Sequence, residues 1–332
     1  MTGKYKPNVS SGSDVKSPDV LVGTAGWNYE DWVGPFYPER PEKGFSRLEF
    51  YSKFFDCVEV NSTFYRHFGP KTIEKWLGEV EGNANFEFII KLYKNFTHGK
   101  RSPASGFRDD KSAVEEYLAP LVESAKLGGL LVQFSEYFRA GEESRSYLAF
   151  LLHEFRGYRL FVELRHLSWY SNQDMEFLKK LNVNLVVVDQ PMLNGMVGFE
   201  PEYLGKYGYV RLHGRNIVKW SESREALAQG IEIADEQRND RYNYLYTTGE
   251  LDEIERKIRV VKERCDKLYV VANNHPLGKA VANALELLKR LRDQDRVRIP
   301  STLIRYFPEL GAIADRVDVG PEPDMFNGEQ NA

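Results

Sequence analysis

Two glutamates, a lysine and a histidine stand at or near the ends of short apolar runs, where they could carry out acid–base chemistry. Glu59 lies in VEV and Glu163 in FVEL, while Lys91 ends FEFIIK and His213 ends YVRLH. Paired carboxylates can act as general acid and base, a histidine can move protons, and a lysine can stabilise developing negative charge. A cation near either glutamate would lower the pKa of that carboxyl and weaken it as an acid. We take these four residues as the catalytic candidates.

Two arginines stand in similar positions and predict an anion-binding function. Arg165 follows Glu163 by two residues, and Arg211 precedes His213 by two. A guanidinium fork can hold a phosphate or a carboxylate bidentately, so the two arginines are candidates to clamp an anionic substrate. Pairing of each arginine with a glutamate or aspartate of the protein itself is the alternative. Both can hold, since a ligand anion could displace one partner.

A third set of residues could bind the hydroxyl groups or rings of a ligand. Amides and imidazoles supply hydrogen bonds, and aromatic side chains stack on a base or a sugar ring. For the aromatic members, packing against the protein surface is the alternative, above all for Trp27. The candidates for substrate binding are Asn61, Asn273, Asn274, His275, Tyr65, Tyr244, Trp27, Gln133 and Asp189.

The histidines and carboxylates raise the question of a metal ion. Zn²⁺ or Mn²⁺ would activate water for phosphoester hydrolysis. The sequence has no HxH or HExxH spacing, and arginines stand beside His166 and His213, which disfavours a divalent cation. We expect no cofactor and name no metal ligand, with Zn²⁺ or Mn²⁺ as the alternative.

These residues are positioned by alternating strand-like and helix-like segments. Such alternation predicts a parallel sheet with crossover helices, and eight strands are the number that closes a (β/α)₈ barrel. The phosphate fingerprint GxGxxG of an open dinucleotide-binding sheet is absent after the first strand, where the sequence reads GTAGWN. We predict strands at Val20–Ala25, Cys57–Asn61, Phe86–Lys91, Gly129–Phe134, Leu160–Arg165, Asn184–Asp189, Gly208–His213 and Leu268–Asn273. We predict helices at Phe45–Phe55, Ser112–Leu127, Tyr147–Arg156, Gln173–Leu181, Leu251–Cys265 and Ala280–Arg292.

Side-chain parity predicts where the polar residues of these strands point. Alternate residues of a strand face the same side, so Glu59 and Asn61 oppose Val58 and Val60. The fifth, seventh and eighth strands repeat this separation, and the third, fourth and sixth end in or near polar residues. In a barrel the apolar side packs against the helices, and the polar side lines the interior at the carboxyl end of the strands. Barrel active sites occupy that end.

Several segments, taken in order, resemble domain-of-unknown-function family seventy-two, the YecE-like proteins. They are VGTAGWNYEDWVGPFYP (Val22–Pro38), VEVNSTFYR (Val58–Arg66), FEFIIK (Phe86–Lys91), LGGLLVQF (Leu127–Phe134), VELRHLSW (Val162–Trp169), YVRLHGR (Tyr209–Arg215) and the Asn273-Asn274-His275 triplet. The resemblance implies a TIM barrel and brings no established activity. A likeness of the family to barrel endonucleases that act at abasic DNA sites is a structural analogy. Family members commonly have Leu-Pro-Pro where this chain has Phe134-Ser135-Glu136, which changes the rim of the predicted mouth.

Composition and length bound the remaining possibilities. The chain has 332 residues, 42% apolar and 28% charged, which is typical of a globular protein. Its 49 acidic and 45 basic residues give a net charge of −4, which argues against a general nucleic-acid coat. Two cysteines and the lack of an apolar run of about 18 residues predict a cytoplasmic protein without a membrane partner. We predict a disordered tail at 1–18, a barrel domain at 19–295 and a C-terminal extension at 296–332, disordered from about 319.

The residues favour an enzyme that acts on an anionic, hydroxylated substrate by acid–base chemistry. A phosphoester, a sugar phosphate or a nucleotide fits this description, and the enzyme would be a hydrolase or an isomerase. One alternative is a metal-assisted nuclease or DNA-repair-like phosphodiesterase. Another is a non-catalytic protein that binds a metabolite or a nucleic acid, because a fold does not imply a function. The oligomeric state is not predicted.

Overall fold

The structure is a computed structural model that describes residues 20–99, 106–200, 205–231, 234 and 239–319. The tail predicted at 1–18 and the segment 320–332 of the predicted extension lie outside the described residues.

Eight parallel strands form a closed barrel in the order of the chain. Neighbouring strands pair in parallel throughout, and β1 closes the ring on β8 with Gly23 opposite Val271. The predicted TIM barrel is therefore confirmed, and each predicted strand lies within two residues of an observed one. The strands are β1 (Val20–Ala25), β2 (Cys57–Val60), β3 (Glu87–Lys91), β4 (Leu127–Gln133), β5 (Leu160–Glu163), β6 (Asn184–Asp189), β7 (Tyr207–Leu212) and β8 (Lys267–Ala272).

Helices surround the barrel, and all six predicted helices are present with shifted ends. Two further helices of ten or more residues, α2 and α7, were not predicted from the apolar spacing. The reason is that each buries few side chains: Ile73 and Trp76 in α2, and Trp220 and Ser223 in α7. The helices are α1 (Arg47–Ser52), α2 (Pro70–Glu79), α3 (Lys94–Thr97), α4 (Phe107–Glu123), α5 (Glu142–Glu154), α6 (Asn172–Lys180), α7 (Ile217–Ala228), α8 (Thr248–Lys262), α9 (Lys279–Leu291) and α10 (Ser301–Tyr306).

The apolar side chains form two separate cores, one inside the barrel and one between the barrel and the helices. The inner core contains Ile89, Phe161 and Tyr209, and the outer core contains their sequence neighbours of opposite parity, such as Ile90 and Val210. Strand parity therefore sorts side chains between the two cores as the sequence predicts. The polar residues that continue the inner parity are directed to the mouth at the carboxyl end of the strands.

The last described segment packs against the barrel domain. Strands β9 (Val297–Pro300) and β10 (Ala314–Val317) form a two-stranded parallel sheet, with α10 between them in the chain. Ile299 and Leu303 are buried in the outer core, so this segment shares the core of the barrel domain.

Gly23 of β1 is required by a close approach of two strands. A Cβ atom at this position would lie 2.0 Å from the carbonyl oxygen of Cys57, its register partner on β2. Backbone atoms cannot move aside without breaking the β1–β2 pairing.

We predict that Gly23→Ala lowers the free energy of unfolding by about 1–3 kcal/mol or more, because the added methyl group overpacks the barrel wall. Gly78→Ala is the control, since nothing lies within 4 Å of a Cβ atom there and alanine favours a helix. Chemical denaturation of both variants measures the effect. Equal stability of the two variants would contradict this account of the close approach.

Candidate functional site

Arg211, a buried arginine, bonds to several of the inward-facing polar side chains at the carboxyl end of the strands. We call this group the floor of the barrel mouth; it comprises Glu59, Gln133, Glu163, Arg165, Arg211 and His213. Arg211 is 1% exposed, and its guanidinium forms a fork on Glu59, with Nε donating to Oε2 at 2.8 Å and Nη2 to Oε1 at 2.6 Å. Its Nη1 donates to Gln133 at 2.9 Å and to a carboxylate oxygen of Glu163. Every nitrogen of Arg211 therefore already donates to a protein acceptor. Arg211 therefore shows the pairing with protein carboxylates that the sequence left open as its alternative, and its role as an anion clamp stays a prediction.

Glu163 is shared between two guanidiniums. Its Oε1 accepts from Arg165 Nε at 2.5 Å, and its Oε2 accepts from Arg211. Burial alone would raise the pKa of Glu163, but Arg165 and Arg211 together hold it well below its ordinary value. Glu163 is therefore a carboxylate at neutral pH and is unsuited to act as a general acid.

Glu59 accepts a third hydrogen bond in addition to the two from Arg211. The hydroxyl of Tyr209 donates to its Oε2 at 2.5 Å, and the glutamate is fully buried. Tyr209 was not among the sequence candidates, although it shares the parity of Arg211 and His213, a signal that would have identified it. With three donors on one carboxylate, Glu59 is best described as part of the buried ion network.

The geometry around His213 fixes its protonation state. Arg165 Nη2 lies 3.1 Å from Nε2 of His213 and can only donate, so Nε2 must accept and the proton resides on Nδ1. The structure places Nδ2 of Asn273 2.8 Å from Nδ1; because two N–H donors cannot face each other, we assign the amide of Asn273 the flipped orientation, in which its oxygen accepts from Nδ1. Burial is the main cause that holds the pKa of His213 well below its ordinary value, followed by Arg165 and Arg211. His213 is a neutral residue that positions Arg165, and its Nε2 is already occupied.

Lys91 lies at the end of β3, on the inner parity, and is half-buried. Its Nζ lies 4.2 Å from the centroid of the Phe64 ring, a cation–π geometry. Among the described residues no carboxylate lies within ion-pair distance of this amine. Burial is the main cause that lowers the pKa of Lys91, Arg211 and Arg165 add to it, Glu59 and Glu163 oppose it, and together they bring the pKa to about 7.

Several polar atoms around this floor have no partner in the described part of the chain. Nη1 of Arg165 and Nε2 of Gln133 form no hydrogen bond there, and both residues are buried. Oδ1 of Asn61, the residue that follows β2, is buried without a partner in the described part of the chain. These atoms, with Lys91, are the groups that a ligand in the mouth could satisfy.

Aromatic rings stand beside the floor. Tyr242 lies 5.8 Å from the ring of His213 and 5.7 Å from that of His275, while Trp220 lies 6.3 Å from His213. His275 stacks on Tyr29 at 4.5 Å, and burial lowers its pKa to about 4. Trp220 was missed because α7, which carries it, has weak apolar periodicity.

Three sequence candidates have other partners and do not join the floor. Asp189 has the outer parity of Val187 and accepts from Arg215 at 2.7 Å and from Tyr246 at 2.6 Å. Its inward orientation was therefore wrongly inferred from its position at a strand end. Asn274 also has the outer parity, and its amide donates to the carbonyl oxygen of Tyr244 at 2.8 Å. The hydroxyl of Tyr244 donates to Glu250 at 2.6 Å.

Two further aromatic candidates lie at the rim. Trp27 packs edge-on against Trp76, with ring centroids 5.2 Å apart, beside a cleft of about 720 Å³ that Asn61 also lines. Tyr65 is 67% exposed and contacts Phe64 edge-on. Trp27 thus has the packing role that the sequence left open as its alternative.

The donor set does not fit a resident metal ion. Within the described ranges, no group of three or more His, Cys, Asp or Glu side chains is arranged to hold one. The carboxylates of Glu59 and Glu163 already accept from guanidiniums, and Nε2 of His213 faces Arg165. A divalent cation there would meet positive charge.

Fold and site together define a TIM-barrel protein in which polar residues of β2, β3, β4, β5, β7 and the segment after β8 converge at the carboxyl end. The family described as "Protein of unknown function DUF72" matches residues 21–304, and the chain belongs to this family. The resemblance noted from the motifs is confirmed, and the family has no characterised activity.

Relatives and solved structures agree with this assignment. The UPF0759 protein YunF of Bacillus subtilis is 27% identical over 282 residues, which cover 82% of this chain and 94% of that protein. The UPF0759 protein YecE of Escherichia coli K12 is 24% identical over 177 residues, 51% of this chain and 59% of that protein. A DUF72 family protein of Thermotoga maritima is 30% identical with a TM-score of 0.70, over 82% of this chain and 99% of that one. One from Enterococcus faecalis is 27% identical with a TM-score of 0.69, over 82% and 95%.

None of the described helices has the length and apolar character needed to cross a membrane.

The depressed pKa of Glu163 predicts an acid-labile fold. The carboxylate is ionised in the folded protein, so its stabilisation is present above the unfolded pKa of about 4.3 and is lost as the pH falls below that value. We predict that Glu163→Gln lowers the free energy of unfolding at pH 7 by about 3–5 kcal/mol and makes the further loss below pH ~4.3 shallower. Denaturation at several pH values measures both effects.

Glu176→Gln is the control, because Glu176 is exposed and pairs with Lys179 on the surface of α6. It should follow the wild-type curve. A Glu163→Gln variant with the stability and acid profile of this control would contradict the buried ion network.

Proposed function

We propose that this protein is an enzyme that binds an anionic, hydroxylated small molecule in the barrel mouth and acts on it by proton transfer. The observation that carries the proposal is a pair of cationic groups, Lys91 Nζ and Nη1 of Arg165, without a protein acceptor in the described part of the chain. Both belong to side chains that the barrel directs to its carboxyl end, where barrel enzymes bind their substrates.

The balance of charge at the floor supports an anionic ligand of small size. Arg165 and Arg211 are offset by Glu59 and Glu163, which leaves Lys91, beside the floor, as the surplus cation among these described residues. One surplus charge and one free guanidinium edge suit a single phosphate or carboxylate group. They do not form the extended row of free cations that binding to a nucleic-acid backbone requires.

The neutral groups around the floor support recognition of hydroxyls. The free Nε2 of Gln133, the amide of Asn61 and the amide of Asn273 can each exchange a hydrogen bond with a ligand hydroxyl. Tyr242 and His275 add ring faces at the same mouth. Sugar phosphates have this combination of one anionic group and several hydroxyls.

The arrangement changes the assignment of catalytic roles. Glu59, Glu163 and His213 are held by the ion network and act as its structural members. Lys91 has a pKa near the working pH, so it can give and take a proton at neutral pH. We assign proton transfer to Lys91 and ligand positioning to Arg165, in a hydrolase or an isomerase that needs no resident metal for this step.

The proposal predicts that Lys91 is needed for ligand binding. In a thermal-shift screen of inorganic phosphate, sugar phosphates and nucleotides, at least one compound should stabilise the wild-type protein, by about 2.7 kcal/mol at a hundred times its Kd. Lys91→Met should reduce that affinity by at least about tenfold, because it removes the surplus charge. The readout is the ligand dependence of the melting temperature.

Lys94→Met is the matched control, since Lys94 is an exposed lysine three residues along the same segment. It should bind as the wild type does. The proposal fails if no anionic compound stabilises the protein, or if Lys91→Met binds the stabilising compound as tightly as Lys94→Met does.

A further inference from the structure

The surroundings of Lys91 differ from those of an ordinary barrel lysine that closes an ion pair. Its backbone carbonyl accepts from the hydroxyl of Thr63 at 2.7 Å, which ties the end of β3 to the turn after β2. The side chain then runs along the ring of Phe64, which lies 4.2 Å from Nζ. A fixed backbone and an apolar flank hold the amine in one place at the mouth.

The charged groups that face Lys91 come from several elements. Glu59 of β2 and Glu163 of β5 are the carboxylates that raise the pKa of Lys91, while Arg211 and Arg165 are the cations that lower it. His98, after α3, lies edge-on to the same Phe64 ring at 5.0 Å. The two arginines occupy the oxygens of both glutamates, so neither carboxylate is free to hold an ammonium group at Nζ.

Lys91 has no carboxylate at ion-pair distance among the described residues, and the charges of Arg211 and Arg165 disfavour its ammonium form. A neutral lysine amine is a nucleophile. Burial lowers the pKa of Lys91 to about 7, which agrees with this geometry. An ordinary lysine with a pKa of about 10.4 has roughly a thousandfold less free amine at pH 7.

We propose that Lys91 forms a Schiff base with an aldehyde or ketone that carries an anionic group. This inference rests on the proposed function, because it names the substrate class of the same site. The anionic group would face Nη1 of Arg165, and the carbonyl carbon would face Nζ of Lys91. A phosphorylated or carboxylated carbonyl compound has both features.

The step balances as follows in atoms and charge. The lone pair of Nζ attacks the carbonyl carbon, the carbonyl π electrons move to oxygen, and that oxygen takes a proton while the nitrogen loses one. The carbinolamine hydroxyl takes a proton from the solvent and leaves as water while the nitrogen lone pair forms the C=N bond, so amine, carbonyl and one proton give a protonated imine and water. The protonated imine withdraws electrons from the adjacent carbon and so favours transfer of a proton from that carbon to water, the first step of an isomerisation.

The test uses pyridoxal phosphate as the probe, since it combines an aldehyde with a phosphate group. The full-length protein at pH 7 is treated with the probe, reduced with borohydride, digested and mapped by mass spectrometry. We expect Lys91 to be labelled at least about tenfold faster than any other lysine, and pyridoxal, which lacks the phosphate, to label it at least about tenfold more slowly. Lys91→Met should lose the fast labelling and Lys94→Met should keep it.

The outcomes separate this inference from the proposed function. Fast labelling of Lys91 by both compounds at the same rate would support the nucleophile and contradict the anion site. Stabilisation of the protein by phosphate compounds, without preferential labelling of Lys91, would support the anion site and overturn the Schiff-base inference. The mapping is made on the wild-type protein, so the result does not depend on the folding of any variant.

Discussion

The hydrogen bonds of Arg211 are the constraint on which the mouth of this barrel depends. One guanidinium on β7 contacts Glu59 on β2, Gln133 on β4 and Glu163 on β5, and so joins strands from opposite sides of the ring. A buried ion network of this kind adds little net stability, but loss of one member leaves an uncompensated buried charge. Because the network occupies both glutamates, Lys91 has no carboxylate within ion-pair distance in the part of the chain that the structure describes.

The fold follows from features that are local in the sequence. Strands of four to seven residues, separated by helix-like segments, gave the right number of barrel strands, and alternating polarity separated the inner from the outer core. Helix α7 was missed because its apolar period is weak, and helix α2 was missed because only Ile73 and Trp76 of its ten residues are buried. No helix or strand was predicted from the sequence for the segment 296–319. Its packing on the barrel depends on contacts with residues that are distant in the chain.

The sequence predicted which residues lie in the candidate site better than it predicted what each of them does there. Parity brought Glu59, Glu163, Arg165, Arg211 and His213 to one place, as the structure has them. Parity also excludes Asp189 and Asn274, whose outer side follows from Val187 and Ala272. The sequence does not predict which carboxylate forms an ion pair with each arginine. Ion pairing across a barrel depends on distances between strands that are far apart in the chain. That pairing turns two predicted acids into counterions and makes Lys91 the reactive group.

The central claim, that burial and two guanidiniums leave the Lys91 amine about half protonated at pH 7, is tested most directly by an NMR titration of the lysine side chains labelled with ¹³C at Cε. The Lys91 resonance is assigned by its loss in Lys91→Met. The account predicts a midpoint near pH 7, the value that burial and the two guanidiniums impose on this amine. A midpoint near the ordinary lysine value of about 10.4 would contradict it, because the amine would then carry its charge in full at neutral pH.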